Sequence, residues 1–123
     1  MDLSKAFDCL PYDLLVLKLK HYDLDEKSLC LIDSYLSQRQ QCVRVGDVYS
    51  SFQETLKGVP QGSILGPVLF NIFINDIFEF VTESNLYNYA DDNTLSFSST
   101  SHEHLVNVLE HDTLSLIKWF HEK

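Results

Sequence analysis

Hydrophobic positions along the chain switch between helical and strand-like spacing, and the switches divide it into elements. Residues 12 to 22, YDLLVLKLKHY, carry leucines at 14, 15, 17 and 19, a spacing that predicts a short amphipathic helix. Asp25 then stands where an N-cap belongs. It precedes a second helix whose apolar members are Leu29, Ile32, Tyr35 and Leu36, with Leu31 beside them. From 41 to 56, QCVRVGDVYSSFQETL alternates apolar and polar about Gly46 and Asp47, which reads as a β-hairpin with that pair in the turn. The stretch GVPQGSILGP, 58 to 67, holds three glycines and two prolines and is no regular element. Pro67 suits the first turn of a helix, and VLFNIFINDIFEFV, 68 to 81, continues it with almost unbroken apolar character, so that helix is expected to be largely buried.

Alternation returns in NLYNYADDNTLSF, 85 to 97, where Tyr87, Tyr89, Leu95 and Phe97 flank Asp91, Asp92 and Asn93 at the expected place of a tight turn. Beyond the Ser/Thr residues at 98 to 101, Leu105, Val108, Leu109, Leu116 and Trp119 recur at helical spacing. A strand-like stub about Asp2 opens the chain. The order β-stub, α, α, β-hairpin, loop, α, β-hairpin, α predicts an α+β fold, an antiparallel sheet packed against helices on one face.

Composition bounds what such a fold can do. With 123 residues, 45% of them apolar and 22% charged, the chain is one ordinary globular domain. No apolar run approaches the roughly 20 residues that span a bilayer, and no basic leader marks a secretory signal. Cys9, Cys30 and Cys42 lack any C-x-x-C spacing, which argues against a disulfide framework or zinc site and for a reducing intracellular setting, nucleus or cytoplasm. His102 and His104 are two apart and do not share a helix face, so these and His111 and His121 read as solvated. The net charge of −9 is the awkward number, because phosphate contacts come mainly from Lys and Arg and none lies between Lys57 and Lys118. Any nucleic acid bound here needs cations from bound metals or from elsewhere in the protein.

The acidic turn can be ornamental, since Asp and Asn are ordinary turn residues. A second acid in a strand-like setting, Asp2, raises the alternative of a carboxylate cluster with no basic partner. Such a cluster is stable only when protonated or holding a cation. Carboxylate oxygens without nitrogen or sulfur favour a hard ion, Mg²⁺ or Mn²⁺, and two such ions about 4 Å apart are the device of phosphoryl transfer. In the glycine-rich loop, Gly58, Gly62 and Gly66 permit close backbone approach to a ligand, and Gln61 can both donate and accept.

Three blocks, DLSKAFDCLPYDLLVLKL, GVPQGSILGPVLFNIFINDI and YADDNTL, together resemble the reverse transcriptase domain of non-LTR (LINE-type) retrotransposons, nearest to jockey-like elements. They come in that family's order and spacing, and the resemblance covers essentially the whole chain. It implies a polymerase palm. Asp2 then matches the first catalytic aspartate. Asp91 and Asp92 match the pair of the Y-x-D-D hairpin, with Asp91 a metal ligand and Asp92 its less tightly engaged neighbour. Phe7 matches the aromatic gate that disfavours a ribose 2′-OH. The backbone of Leu3, Ser4, Lys5, Ala6 and Phe7 matches the segment that meets the incoming triphosphate. Gln61 and Gly62 match the loop that positions nucleotide and template, and Tyr89 a residue near the primer terminus. Asp8, Asp13 and Asp76 recur in the family pattern and are read as structural.

The same resemblance implies an RNA template, a DNA primer and a deoxynucleoside triphosphate as partners, with two Mg²⁺ (or Mn²⁺) ions and no membrane. It also implies that residues 1–123 are a partial reverse transcriptase domain, its palm core, without fingers, thumb or endonuclease. Alone, such a piece is expected to bind nucleic acid weakly, to polymerise poorly if at all, and to self-associate. The alternative is a non-catalytic transposon remnant or interaction module.

Overall fold

The computed structural model describes residues 6–122. Leu15 and Leu19, one turn apart, are fully buried and set the inner face of α1 (Tyr12–His21). Leu29 and Leu36 do the same for α2 (Glu26–Leu36), whose N-terminus is closed by the Asp25 carboxylate accepting from the Ser28 N–H at 2.7 Å. Leu69, Phe70, Phe73 and Ile74 of α3 (Leu65–Ile74) meet these leucines, and Leu116 and Trp119 of α4 (His102–Glu122) complete one apolar cluster. Two leucines depart from the expected stripes. Leu17 and Leu31 face solvent, because each lies on the opposite side of its helix from the buried pair.

The long apolar stretch does not run as one helix. It is α-helical to Ile74 and 3-10 over Asn75–Phe80. At the joint the Lys18 ammonium takes the Phe73 carbonyl and, at 2.6 Å, the Asp76 carboxylate. That carbonyl would otherwise serve the next helical turn. Lys18 also lies 4.6 Å from the centre of the Phe73 ring, so its charge is held in a pocket of aromatic surface and one carboxylate. Asp76 is a structural partner here.

Strands are short. β1 (Gln40–Gln41) pairs with β4 (Gln53–Glu54) and β2 (Arg44–Val45) with β3 (Val48–Tyr49), around a turn in which Gly46 has φ +61°. Between the pairs Gln41–Gln53 and Arg44–Tyr49 one side carries an extra residue, a bulge. Ser50 closes the gap by donating its N–H to the Val43 carbonyl and accepting the Val43 N–H on its hydroxyl, both at 2.9 Å. β5 (Asn85–Tyr89) and β6 (Asp92–Ser96) form the second hairpin, which α4 partly covers. The fold is thus mixed α and antiparallel β. In place of the single expected sheet, the described residues form three separate two-stranded ladders. The strand expected about Asp2 lies outside them.

No helix among the described residues is long and apolar enough to cross a membrane.

Candidate active site

Two distant stretches are stitched together beside the start of α3. Residues Ala6–Asp8 make a 3-10 turn, and the Phe7 and Leu10 carbonyls accept from the Val59 and Gly58 N–H groups, both at 2.8 Å. Gly58 sits at φ +81°, and a Cβ there would fall 2.6 Å from the Asp8 Cα and carbonyl oxygen. Only glycine allows this approach. Arg39 secures the other side, donating to the Gly58 carbonyl and the Tyr12 hydroxyl, each at 2.6 Å. The Phe7 ring is held against Phe70 of α3 with centroids 4.4 Å apart.

The loop then turns sharply. Ser63 N–H reaches the Pro60 carbonyl at 3.3 Å and Gly62 has φ +78°, the pattern of a type II turn with Gln61 at its corner. The Ser63 hydroxyl donates to the Pro60 carbonyl at 2.7 Å and accepts the Gly66 N–H at 3.0 Å, which joins the turn to the first turn of α3. The turn is a rigid lip, and Gln61 projects from it.

The acidic hairpin faces this lip. Its turn is the pair Ala90-Asp91, one residue earlier than the pattern suggested, and Asp92 and Asn93 begin β6 opposite Tyr89 and Asn88. The reason lies in two amides. Asn88 Nδ2 donates to the Ala90 carbonyl at 2.9 Å and to Asn93 Oδ1 at 3.1 Å, and Asn93 Nδ2 reaches the Asp91 carbonyl at 3.2 Å. Asn93 is buried by this network and belongs to the strand. Ala90 takes φ +53° while Asp91 stays at negative φ, the II′ pattern that favours glycine at the first position, so the turn is strained and the amides hold it.

One cleft collects Ala6, Phe7, Gln61, Gly62 and Asp91, joined by Asp8 and Pro67. Tyr89, 85% exposed, lines an adjoining groove that shares Phe7 and Pro67 as its wall. Asp92 is exposed beside Asp91 but is not part of the cleft lining. Asp2, Leu3, Ser4 and Lys5 lie outside the described residues, so the expected meeting of Asp2 with Asp91 falls there too. Among the described residues no group of three or more His, Cys, Asp or Glu side chains is placed to hold a metal ion. Asp91 and Asp92 form no ion pair among those residues, and adjacent carboxylates of this kind have the donor chemistry of a hard divalent cation.

Sequence reasoning gave no such part to four residues: Asp8 was read as structural, and Arg39, Lys57 and Asp112 were not singled out. Asp8 accepts a hydrogen bond from Gln61 Nε2 at 2.9 Å inside the cleft. Arg39 and Lys57 line a neighbouring pocket that shares Asp8, Pro60 and Gln61 with the cleft, so cationic side chains stand on the far side of Gln61. Asp112, in the middle of α4, is fully buried. Its carboxylate accepts from the Ser84 N–H at 2.8 Å, the Thr82 hydroxyl at 3.0 Å and the Thr82 and Glu83 N–H groups at 3.3 Å, fixing the chain just ahead of β5. Burial alone would raise this carboxyl. The Ser84 hydroxyl and N–H, the His111 ring and the Thr82 N–H outweigh it and hold the group well below the usual carboxylate range. The Ser84 hydroxyl is close enough to act on the charge, although it completes no hydrogen bond of good geometry. The signal was present: Val108, Asp112, Leu116 and Trp119 share one helical stripe, and a polar residue there must be partnered.

Comparison with known proteins adds the following. The family model described as reverse transcriptase (RNA-dependent DNA polymerase) matches residues 1–121. A Drosophila melanogaster protein named probable RNA-directed DNA polymerase from transposon BS is 32% identical over 97% of the chain and 14% of its own length. The RNA-directed DNA polymerase from mobile element jockey of the same organism is 33% identical over 82% of the chain. A third, the probable RNA-directed DNA polymerase from transposon X-element, is 33% identical over 80%. The chain spans between 11% and 14% of the length of these relatives. No solved structure matches the chain significantly.

Proposed function

Because this chain belongs to the reverse transcriptase (RNA-dependent DNA polymerase) family, we propose that its cleft is the palm portion of an RNA-directed DNA polymerase active site. The substrates are an RNA template, a DNA primer and a deoxynucleoside triphosphate. One observation carries the proposal: Phe7, Gln61, Gly62 and Asp91, from three distant blocks, line a single cleft.

Each residue then has a task. Asp91, with Asp2 and the neighbouring Asp92, holds Mg²⁺ or Mn²⁺. Two such ions, when bound by these carboxylates, would supply the positive charge that activates a 3′-OH and neutralises the leaving phosphates. Asp91 sits on a turn pinned by Asn88 and Asn93, so the backbone that carries its carboxylate does not have to be ordered on binding. The backbone of Leu3 to Phe7 meets the triphosphate. The Phe7 ring, backed by Phe70, cannot retreat and so crowds a 2′-OH on the sugar. Gln61 and Gly62 at the rigid lip position nucleotide and template, and Tyr89 borders the primer side. Arg39 and Lys57 supply cationic charge next to the cleft.

The relatives are seven to nine times longer than the stretch they share with this chain, which supports reading residues 1–123 as one part of a longer polymerase. The test is exchange: residues 1–123 replace the matching stretch of an active jockey-type enzyme, and primer extension is measured on poly(rA)/oligo(dT). Incorporation is expected, and Asp91→Ala abolishes it. A folded chimera that incorporates nothing contradicts the proposal and favours a non-catalytic remnant.

A further inference from the structure

We propose that Asp8 is a positioning residue that sets which way round the Gln61 amide faces the cleft. The inference rests on the polymerase reading above and goes beyond it by giving a task to a residue with none there.

Gln61 carries a donor end and an acceptor end of nearly equal size, and rotation by half a turn exchanges them. At the exposed corner of a type II turn nothing in the backbone chooses between the two. Asp8 chooses. Its carboxylate only accepts, so the amide must turn Nε2 toward it, as the 2.9 Å bond records. Oε1 is then left to accept a hydrogen bond from a donor on the incoming nucleotide, a hydroxyl of the sugar or an amino group of the base. Reversed, the amide would offer that donor another donor.

The frame holding Asp8 is stiffer than the bond itself. The Gly58 N–H to Leu10 carbonyl and Val59 N–H to Phe7 carbonyl bonds bracket Asp8, and Gly58 packs on its Cα with no room for a side chain. These are all backbone contacts. The side chain can therefore be shortened without disturbing the lip, and an exposed polar pair adds little to stability, so the variants fold. Asp8 shares the cleft with Phe7, Gln61 and Asp91, so a fault in the Gln61 orientation is felt where the nucleotide sits.

The experiment compares the full chain with Asp8→Ala and Asp8→Asn in two arms. The first needs no nucleotide: the side-chain ¹⁵N–¹H signals of Gln61 are recorded, with Gln61→Ala identifying them. Nε2 proton shifts displaced from free-amide positions are expected in the parent and a return to those positions in Asp8→Ala, with Asp8→Asn, whose amide can donate as well as accept, falling between the two. Unchanged signals in Asp8→Ala overturn the proposal. In the second arm Mg²⁺ and dTTP are titrated while the same signals are followed. About tenfold weaker dTTP binding is expected in Asp8→Ala, and binding between that and the parent's in Asp8→Asn. Equal binding by Asp8→Ala and parent overturns the positioning role. A parent that binds no dTTP, with the first arm as expected, overturns the acceptor role toward nucleotide in this chain, while the orientation of Gln61 by Asp8 stands and the exchange experiment alone decides the polymerase reading.

Discussion

Gly58 beside the cleft and Asp112 behind the start of β5 each hold backbone in place that no neighbouring residue could hold instead. Gly58 is required twice over, by its φ of +81° and by the 2.6 Å that a Cβ would leave to the Asp8 backbone. Gly58→Ala is expected to cost about 2–4 kcal/mol in denaturant unfolding, since strain and overpacking add. Asp112→Ala leaves several N–H groups unsatisfied and is expected to cost about 3–5 kcal/mol. The sign of its pH dependence follows from the direction of the shift. The folded carboxyl is held below its unfolded value, so its contribution is full above that value, near 4. It is lost as pH falls through the folded value. Stability is expected to decline below about pH 5 in the parent and to decline less steeply in Asp112→Asn, measured by urea midpoints from pH 3 to 7. Gly58 was read as allowing close approach to a ligand rather than to the chain itself, and Asp112 went unread although its place on an apolar stripe was visible. Gly58 answers a backbone contact with a residue fifty positions away, and Asp112 looks like a break in an apolar stripe until the chain of Thr82 to Ser84 is seen to fill it.

At the scale of elements, spacing read the helices well because their apolar stripes are themselves the core: Leu15 with Leu19, Leu29 with Leu36 and Leu116 with Trp119 lie where periodicity placed them. It failed where a side chain from another element intervened. Lys18 ends α3 by taking the Phe73 carbonyl, and no local signal in 68 to 81 announces that. The acidic hairpin was found, but its turn was placed late because Asp92 and Asn93 are good turn residues whose register is set by the Asn88 and Asn93 amides. Ala90 bears the strain of that arrangement. Ala90→Gly is expected to stabilise the chain by about 0.5–1 kcal/mol, read as a higher denaturant midpoint at constant slope. A lower midpoint would mean the turn is not II′ in kind.

For the whole molecule, the α+β class was legible, while the division into three ladders was not, since pairing between hairpins is settled by contacts that local alternation does not encode. Of the candidate site, Ala6, Phe7, Gln61, Gly62 and Asp91 line one cleft, together with Asp8, which the resemblance had marked as structural. The surface is less settled. Val45 is 75% exposed and Ile64 91%, with Val43, Val48, Phe52 and Leu56 also facing solvent. Apolar surface of this extent favours association. Light scattering is expected to show mass rising with concentration, and Val45→Lys with Phe52→Lys to suppress the rise. A monodisperse parent at high concentration would contradict this.

On the polymerase reading, Asp91 presents its carboxylate to a divalent ion in the cleft. Paramagnetic broadening by Mn²⁺ at low occupancy, followed across the amide signals of this chain, tests it most directly. Broadening is expected to centre on residues 2, 91 and 92, to spread next to Phe7 and Gly62, to be competed away by Mg²⁺ and to vanish from this region in Asp91→Ala. Broadening scattered over the acidic surface and unchanged by Asp91→Ala would contradict it.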